Sequence, residues 1–282
     1  MNKLPIKTAQ RKISGGRMVL YVCAVALALF WLVPLVWMFL VTFKEKNSAV
    51  TVLPNLLRPP FTLDNYREVM DSAVWVWMKN SLIVGVVSTL GALLIDSLAA
   101  FALSYLQYPG RNAVFWFIML AMMVPIEAQI VPMYQVMVEF GLMNTYLSII
   151  LPSLAGPFGV FILKQFYDGI PRALAEAARI DGAGYWRIFW NIYVPLSRSS
   201  LIAVGLFIFI GSWNDFLWPF MALTSDSRMT VPVGLPMFNS LMGTDMVMPM
   251  TACFVASIPT IVLYLFFQKH IIKGVAMTGL KG

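Results

Sequence analysis

Three carboxylates stand where charge is costly. Asp96, Glu127 and Asp215 each fall within or beside a long apolar run, and ionisable groups in such runs often serve proton relays or ion coupling. Asp96 reads rather as a protonated or hydrogen-bonded residue between helices, because no ladder of Asp, Glu and His crosses several runs. Glu127 follows Pro125 near the end of its run and is expected to face water. Asp215 directly follows Trp213 and Asn214, and an aromatic ring beside an amide and a carboxylate suits sugar hydroxyls. The same polar groups would also re-satisfy backbone freed by Pro219, and the two readings stand side by side. Metal chemistry has no basis here. Cys23 and Cys253 lie in apolar runs and read as buried thiols, while the single histidine, His270, follows Lys269 as an interfacial residue. Neither a phosphate-binding G-x4-G-K-[ST] loop nor a nucleophile–base pairing occurs, so no catalytic residue, metal ligand or cofactor is assigned. The methionines of the third and sixth apolar runs read as packing filler.

A different chemistry sits at residues 171–195. Pro171 suits the first turn of a helix, and Arg172 and Glu176 are spaced to pair at i,i+4. Ala173, Leu174, Ala177 and Ala178 fall on one small-sided face. Gly182, after Asp181, is a helix stop, since glycine enters φ > 0 freely. A second helix is expected from 184 to 194. Its Tyr185, Trp186, Phe189, Trp190 and Tyr193 line one side, and Pro195 ends it. Aromatics and arginines would suit an anchor in the headgroup layer. The alanine face offers lipid little area, and instead permits another protein to approach closely.

The elements that position these residues are membrane spans. The chain is 60% hydrophobic and 12% charged, half the charge of an ordinary soluble domain, and its mean hydropathy is +0.78. Six runs reach the ~20 residues needed to cross a bilayer: 18–42, 81–106, 113–133, 144–163, 200–223 and 249–268. The first is too long for a cleaved signal peptide. Fourteen Lys and Arg residues fall on one side of these spans, among them Lys3, Lys7, Arg11, Lys12, Arg17, Arg111, Arg187, Arg198, Lys273 and Lys281, against six on the other. That excess places both termini and the loop 164–199 in the cytoplasm, and the net charge of +7 is topology rather than affinity for nucleic acid. Outside lie residues 43–80, where Thr62 is expected to cap a short helix, and the Pro/Gly/Met-rich stretch 224–248.

With these residues in place, the loop resembles a known motif. Glu176-Ala177-Ala178, three residues, Gly182, nine residues, then Ile192-x-Val194-Pro195 is similar to the EAA loop, EAA-x3-G-x9-I-x-L-P, of permease subunits of binding-protein-dependent ABC importers. It departs only in Val194, where leucine is usual. "SWNDFLWPF" (212–220), "TLDNY" (62–66), "AAFALSYLQYPGR" (99–111) and the final "TGLKG" resemble the carbohydrate-uptake branch, specifically second permeases of the maltose-transporter type. The resemblance covers essentially the whole chain.

It implies an all-α membrane protein of the ABC importer permease fold with six transmembrane helices in the bacterial inner membrane. Residues 1–78 would form an N-terminal tail, a first helix and an external loop, and 79–282 the permease core. It further implies that the loop is a coupling helix docked on a cytoplasmic ATPase dimer, with Glu176, Ala177, Ala178, Asp181, Gly182, Ala183 and Pro195 as the coupling positions. A homologous second permease would complete the pore, an extracytoplasmic solute-binding protein would deliver an oligosaccharide or related solute, and ATP hydrolysis would belong to the partner. The competing expectation is a stand-alone ion-coupled carrier using Asp96, Glu127 and Asp215.

Overall fold

A computed structural model describes residues 15–48, 50, 52–238 and 245–279, and among them every regular element is helical. Lys3, Lys7, Arg11, Lys12 and Lys281, counted in the charge argument, lie outside the described residues, as do the side chains of Arg17, His270 and Lys273.

Four helices are each long and apolar enough to cross a membrane. These are α1 (Gly15–Val41), α3 (Val74–Ser104), the pair α6 (Leu147–Ser153) and α7 (Pro157–Asp168) taken as one span, and α12 (Val247–Gly279). The remaining two expected spans are broken, which hydropathy did not reveal. The run 113–133 is divided into α4 (Arg111–Ala121) and α5 (Ile126–Glu139), inclined at 97°. Pro125 is responsible, because it lacks the N–H that would continue the helix and sits extended at the start of α5. Glu127 occupies the first turn of α5, where a negative charge meets the positive end of the helix dipole.

The run 200–223 is likewise interrupted. Helix α10 (Arg198–Asn214) stops at Asp215, whose backbone is extended, and α11 (Leu217–Ala222) restarts after it. Pro219 thereby falls in the first turn of α11, where the N–H it lacks would have had no partner anyway. The chain meets proline by breaking the helix, and at the restart the Asp215 carboxyl accepts the backbone N–H of Trp218.

The helices pack through glycines and small residues, as expected where backbones must approach closely. Helix α3 lies along both α7 and α10, and α10 lies along α12. A Cβ on Gly85 would meet Phe209, and one on Gly91 would collide with Leu154. Helix α1 stands apart, touching the body mainly near Val41 and Trp37, where it meets α12 and the turn holding Leu56.

Above α3, polar contacts organise the loops. Asn80 donates to the carbonyls of Ser227 (2.9 Å) and Met229 (2.8 Å), and accepts from the Tyr146 hydroxyl at 2.7 Å. Asn65, on α2 (Asp64–Met70), donates to the carbonyls of Thr42 and Lys44. Thr62 stands one residue before the N-cap of α2, Leu63, and does not cap it; its hydroxyl accepts the N–H of Asp64 at 3.0 Å in the turn leading into the helix.

Candidate functional site

The segment 171–197 forms one surface unit. Helix α8 (Arg172–Ile180) follows α7 after three residues, with Pro171 at its N-cap. Its exit is a complete Schellman motif. The N–H of Ala183 reaches the carbonyl of Ala178 at 2.8 Å, and that of Gly182 reaches Arg179 at 3.0 Å. Gly182 sits at φ 81°, while a Cβ there would meet nothing within 4 Å. Its glycine is required by backbone conformation, not by space.

Helix α9 (Tyr185–Ile188) then widens into a π-turn over Phe189–Tyr193 and continues to Leu196. Pro195 therefore does not end the helix. The wider turn lets Val194 donate to Phe189, five residues back, and accommodates the ring of a residue with no N–H to give. The chain ends this helix at Ser197, which is buried and donates its hydroxyl to the carbonyl of Tyr193 at 2.7 Å. There it turns 80° into α10.

The unit has an inner and an outer side, and they cut across the expected faces. Ala175, Ile188, Phe189 and Tyr193 are buried, with Ala178 and Ala183 half-buried beside them. The Tyr193 ring is the hub, 4.9 Å from Phe101, 5.2 Å from Tyr167 and 5.7 Å from Tyr105. Those rings belong to the ends of α3 and α7, so the loop is bolted to both helices. The aromatics thus do not form one face: Phe189 and Tyr193 turn inward, and Tyr185, Trp186 and Trp190 turn outward.

Outward too are Ala173, Leu174, Glu176, Ala177, Asp181, Gly182 and Pro195. Ile180 is the most exposed large apolar residue there at 88%, followed by Trp186 at 66%. Ile180 escaped sequence reasoning, although its place seven residues after Ala173 and three after Ala177 was a readable signal. Arg172 and Glu176 make no ion pair. Arg172 instead lines, with Arg111, Tyr108 and Gln107, a cleft of about 540 Å³ beside the start of α8, and Arg179 lies over the Tyr185 ring at 5.4 Å.

The other singled-out residues are dispersed. Trp213 is only 4% exposed and stacks on Phe209 at 5.7 Å, inside a core shared with Trp77 and Met248. Asn214 is exposed and donates to the Ile210 carbonyl, and Asp215 is half-buried; Trp213 and Asn214 therefore face different surroundings. Asp96 is buried and Glu127 exposed. Among the described residues no three His, Cys, Asp or Glu side chains gather as a metal site would need.

Comparison with known proteins places this architecture. Residues 97–277 match the model of the family described as binding-protein-dependent transport system inner membrane component. The arabinooligosaccharides transport system permease protein AraQ of Halalkalibacterium halodurans is 33% identical over 253 residues, covering 88% of this chain and 91% of that protein. The sn-glycerol-3-phosphate transport system permease protein UgpE of Agrobacterium fabrum is 33% identical over 258 residues, covering 87% and 90%. A crystal structure of a bacterial ABC transporter involved in the import of the acidic polysaccharide alginate contains a chain that superposes with a TM-score of 0.79, at 23% identity, over 91% of this chain and 97% of that one. The alginate transporter in complex with an alginate pentasaccharide-bound periplasmic protein gives 0.65 at 16% identity, over 89% and 93%. An all-helical, multi-pass fold of this kind, with sequence relatives along nearly its whole length, settles the family: the chain belongs to the inner membrane permease components of binding-protein-dependent ABC transport systems.

Proposed function

We propose that this chain is one of two permease subunits of an ATP-driven sugar importer in the bacterial inner membrane, taking up an oligosaccharide or a related solute such as a sugar or glycerol phosphate. The relatives' names support the solute class. Residues 79–282 form the permease core, both termini lie in the cytoplasm, and a homologous second permease completes the path. A solute-binding protein meets the outer side, as the periplasmic protein does in the alginate complex. ATP is hydrolysed by a cytoplasmic ATPase dimer.

The observation that carries the coupling part is the outer side of α8 and α9. Leu174, Ile180, Trp186 and Trp190 leave apolar surface uncovered around the small Ala173 and Ala177 and the polar Glu176 and Asp181. A helix of this kind fits a cleft on another protein. Its inner side, locked through Tyr193 to Phe101 and Tyr167, gives a push on α8 no slack before it reaches α3 and α7. Closure of the ATPase pair would move α8, and the spans would rock between inward- and outward-facing states around a solute path at the interface of the two permeases.

The test is ATP-driven uptake by the reconstituted complex. Deleting 174–184, or replacing Gly182 with tryptophan, is expected to abolish uptake while the second permease still co-purifies. Uptake that survives both changes, or uptake by this chain alone on a proton or sodium gradient, would overturn the reading.

A further inference from the structure

Asp96 is fully buried eight residues before the end of α3. Its Oδ1 accepts the backbone N–H of Gly156 at 3.3 Å, and its Oδ2 has no partner. A carboxyl at this depth is expensive, and nothing in the coupling surface uses it. Its location explains it. Gly156 stands in the interruption of the fourth span, immediately before α7 begins at Pro157. The first N–H groups of any helix lack partners within it, and water is not at hand inside a membrane to supply them. Asp96 supplies one from across the helix interface.

The fit is close on every side. A Cβ built on Gly159, in the first turn of α7, would collide with the Asp96 carboxyl. Nearby, Leu154 at the end of α6 is keyed against Gly91 of α3. These contacts fall between two separate apolar clusters. On one side are Val84, Ile149, Ile150 and Trp218, joining α3 to α6 and α11. On the other are Phe101, Leu163, Tyr167, Ala175 and Tyr193, joining α3 and α7 to the α8 loop.

We propose that Asp96 is a positioning residue for coupling. It pins the start of α7 to α3 at the break, so that displacement of α8 tilts α7 about a fixed point instead of unwinding its first turn. The acting group is the Oδ1 acceptor, and Gly159 is glycine so that α7 can come close enough to reach it. This rests on the coupling role proposed above.

The test uses the full complex of this chain with its second permease and ATPase in lipid nanodiscs. Cys23 and Cys253 are replaced by serine, and spin labels are placed at Leu147 on α6 and Gln165 on α7, both exposed. The label separation is measured without nucleotide and after ATP–vanadate trapping. With Asp96 intact the separation is expected to shift on trapping. Asp96→Asn, which keeps the acceptor, retains the shift. Asp96→Ala loses at least half of it while still trapping vanadate, and Asp96→Leu, which fills the space without an acceptor, loses as much, which a merely space-filling role would not predict. Gly159→Ala, which displaces the carboxyl, reproduces that loss and serves if Asp96→Ala fails to assemble. An unchanged shift in Asp96→Ala or Gly159→Ala overturns the proposal, as does an equal loss in Asp96→Asn. No shift in the complex with Asp96 intact overturns the coupling reading itself.

Discussion

The amide of Ala183 closes on the carbonyl of Ala178 at 2.8 Å, and this one bond fixes the direction in which the chain leaves α8. It forms only because Gly182 between them holds φ 81°.

Gly182→Ala is therefore expected to cost about 1–2 kcal/mol at this turn, the left-handed penalty of an L-residue. Because its Cβ meets open space, the protein should still assemble. Gly182→Asn, which tolerates that conformation better, should be milder than Gly182→Ala, and Gly182→Val harsher than both. Solute-stimulated ATPase activity of the complex ranks the three, and an equal loss in all would show that bulk against a partner, not backbone geometry, is limiting.

The inner and outer aromatics of the loop should separate cleanly. Phe189→Ala removes a fully buried ring and is expected to destabilise by about 3–5 kcal/mol. Trp190→Ala, half exposed, should move stability by under about 0.5 kcal/mol in the absence of a partner, as surface changes do. Thermal unfolding of the purified chain in detergent, followed by the loss of its monodisperse chromatographic peak, compares them.

Ile180→Glu should leave that unfolding temperature unchanged and yet weaken co-purification of the ATPase by tenfold or more, the scale of losing a well-buried apolar anchor. Retained ATPase in the pull-down would remove Ile180 from the contact.

At the opposite end, Gly234→Ala forces a methyl into the Trp77 indole. Overpacking of this kind costs about 1–3 kcal/mol. A drop in thermal stability without loss of ATPase binding is the expected pair of results, since the change lies far from α8.

Much of this was legible from residue type and spacing. The spans and the stop at Gly182 follow from hydropathy and φ preference, and each acts locally. What escaped depends on neighbours. Averaged hydropathy runs smoothly over the breaks at Pro125 and Asp215, because an interruption of a few residues hardly changes composition. The pairing of Arg172 with Glu176 was sound for an isolated helix, but in the fold Arg172 turns to the cleft beside Arg111. The aromatic stripe looked like one face because its rings share a side of an ideal helix. A π-turn at Phe189 redistributes that side, and the ends of α3 and α7 claim only part of it. Trp213 gave no sign of being core, since its neighbours Trp77 and Met248 are remote in sequence.

The short link between α7 and α8 sets a mechanical ratio. Helix α7 has 12 residues, roughly 18 Å at the usual rise, and three residues separate it from α8. A tilt of about 10° at its Gly156 end would carry the other end sideways by about 3 Å, over half the 5.4 Å pitch of a helix. Such a displacement is enough to uncouple one set of interlocking side chains and offer the next. A small rotation deep in the bilayer and a side-chain-sized step at the surface would then be the same event measured at two radii.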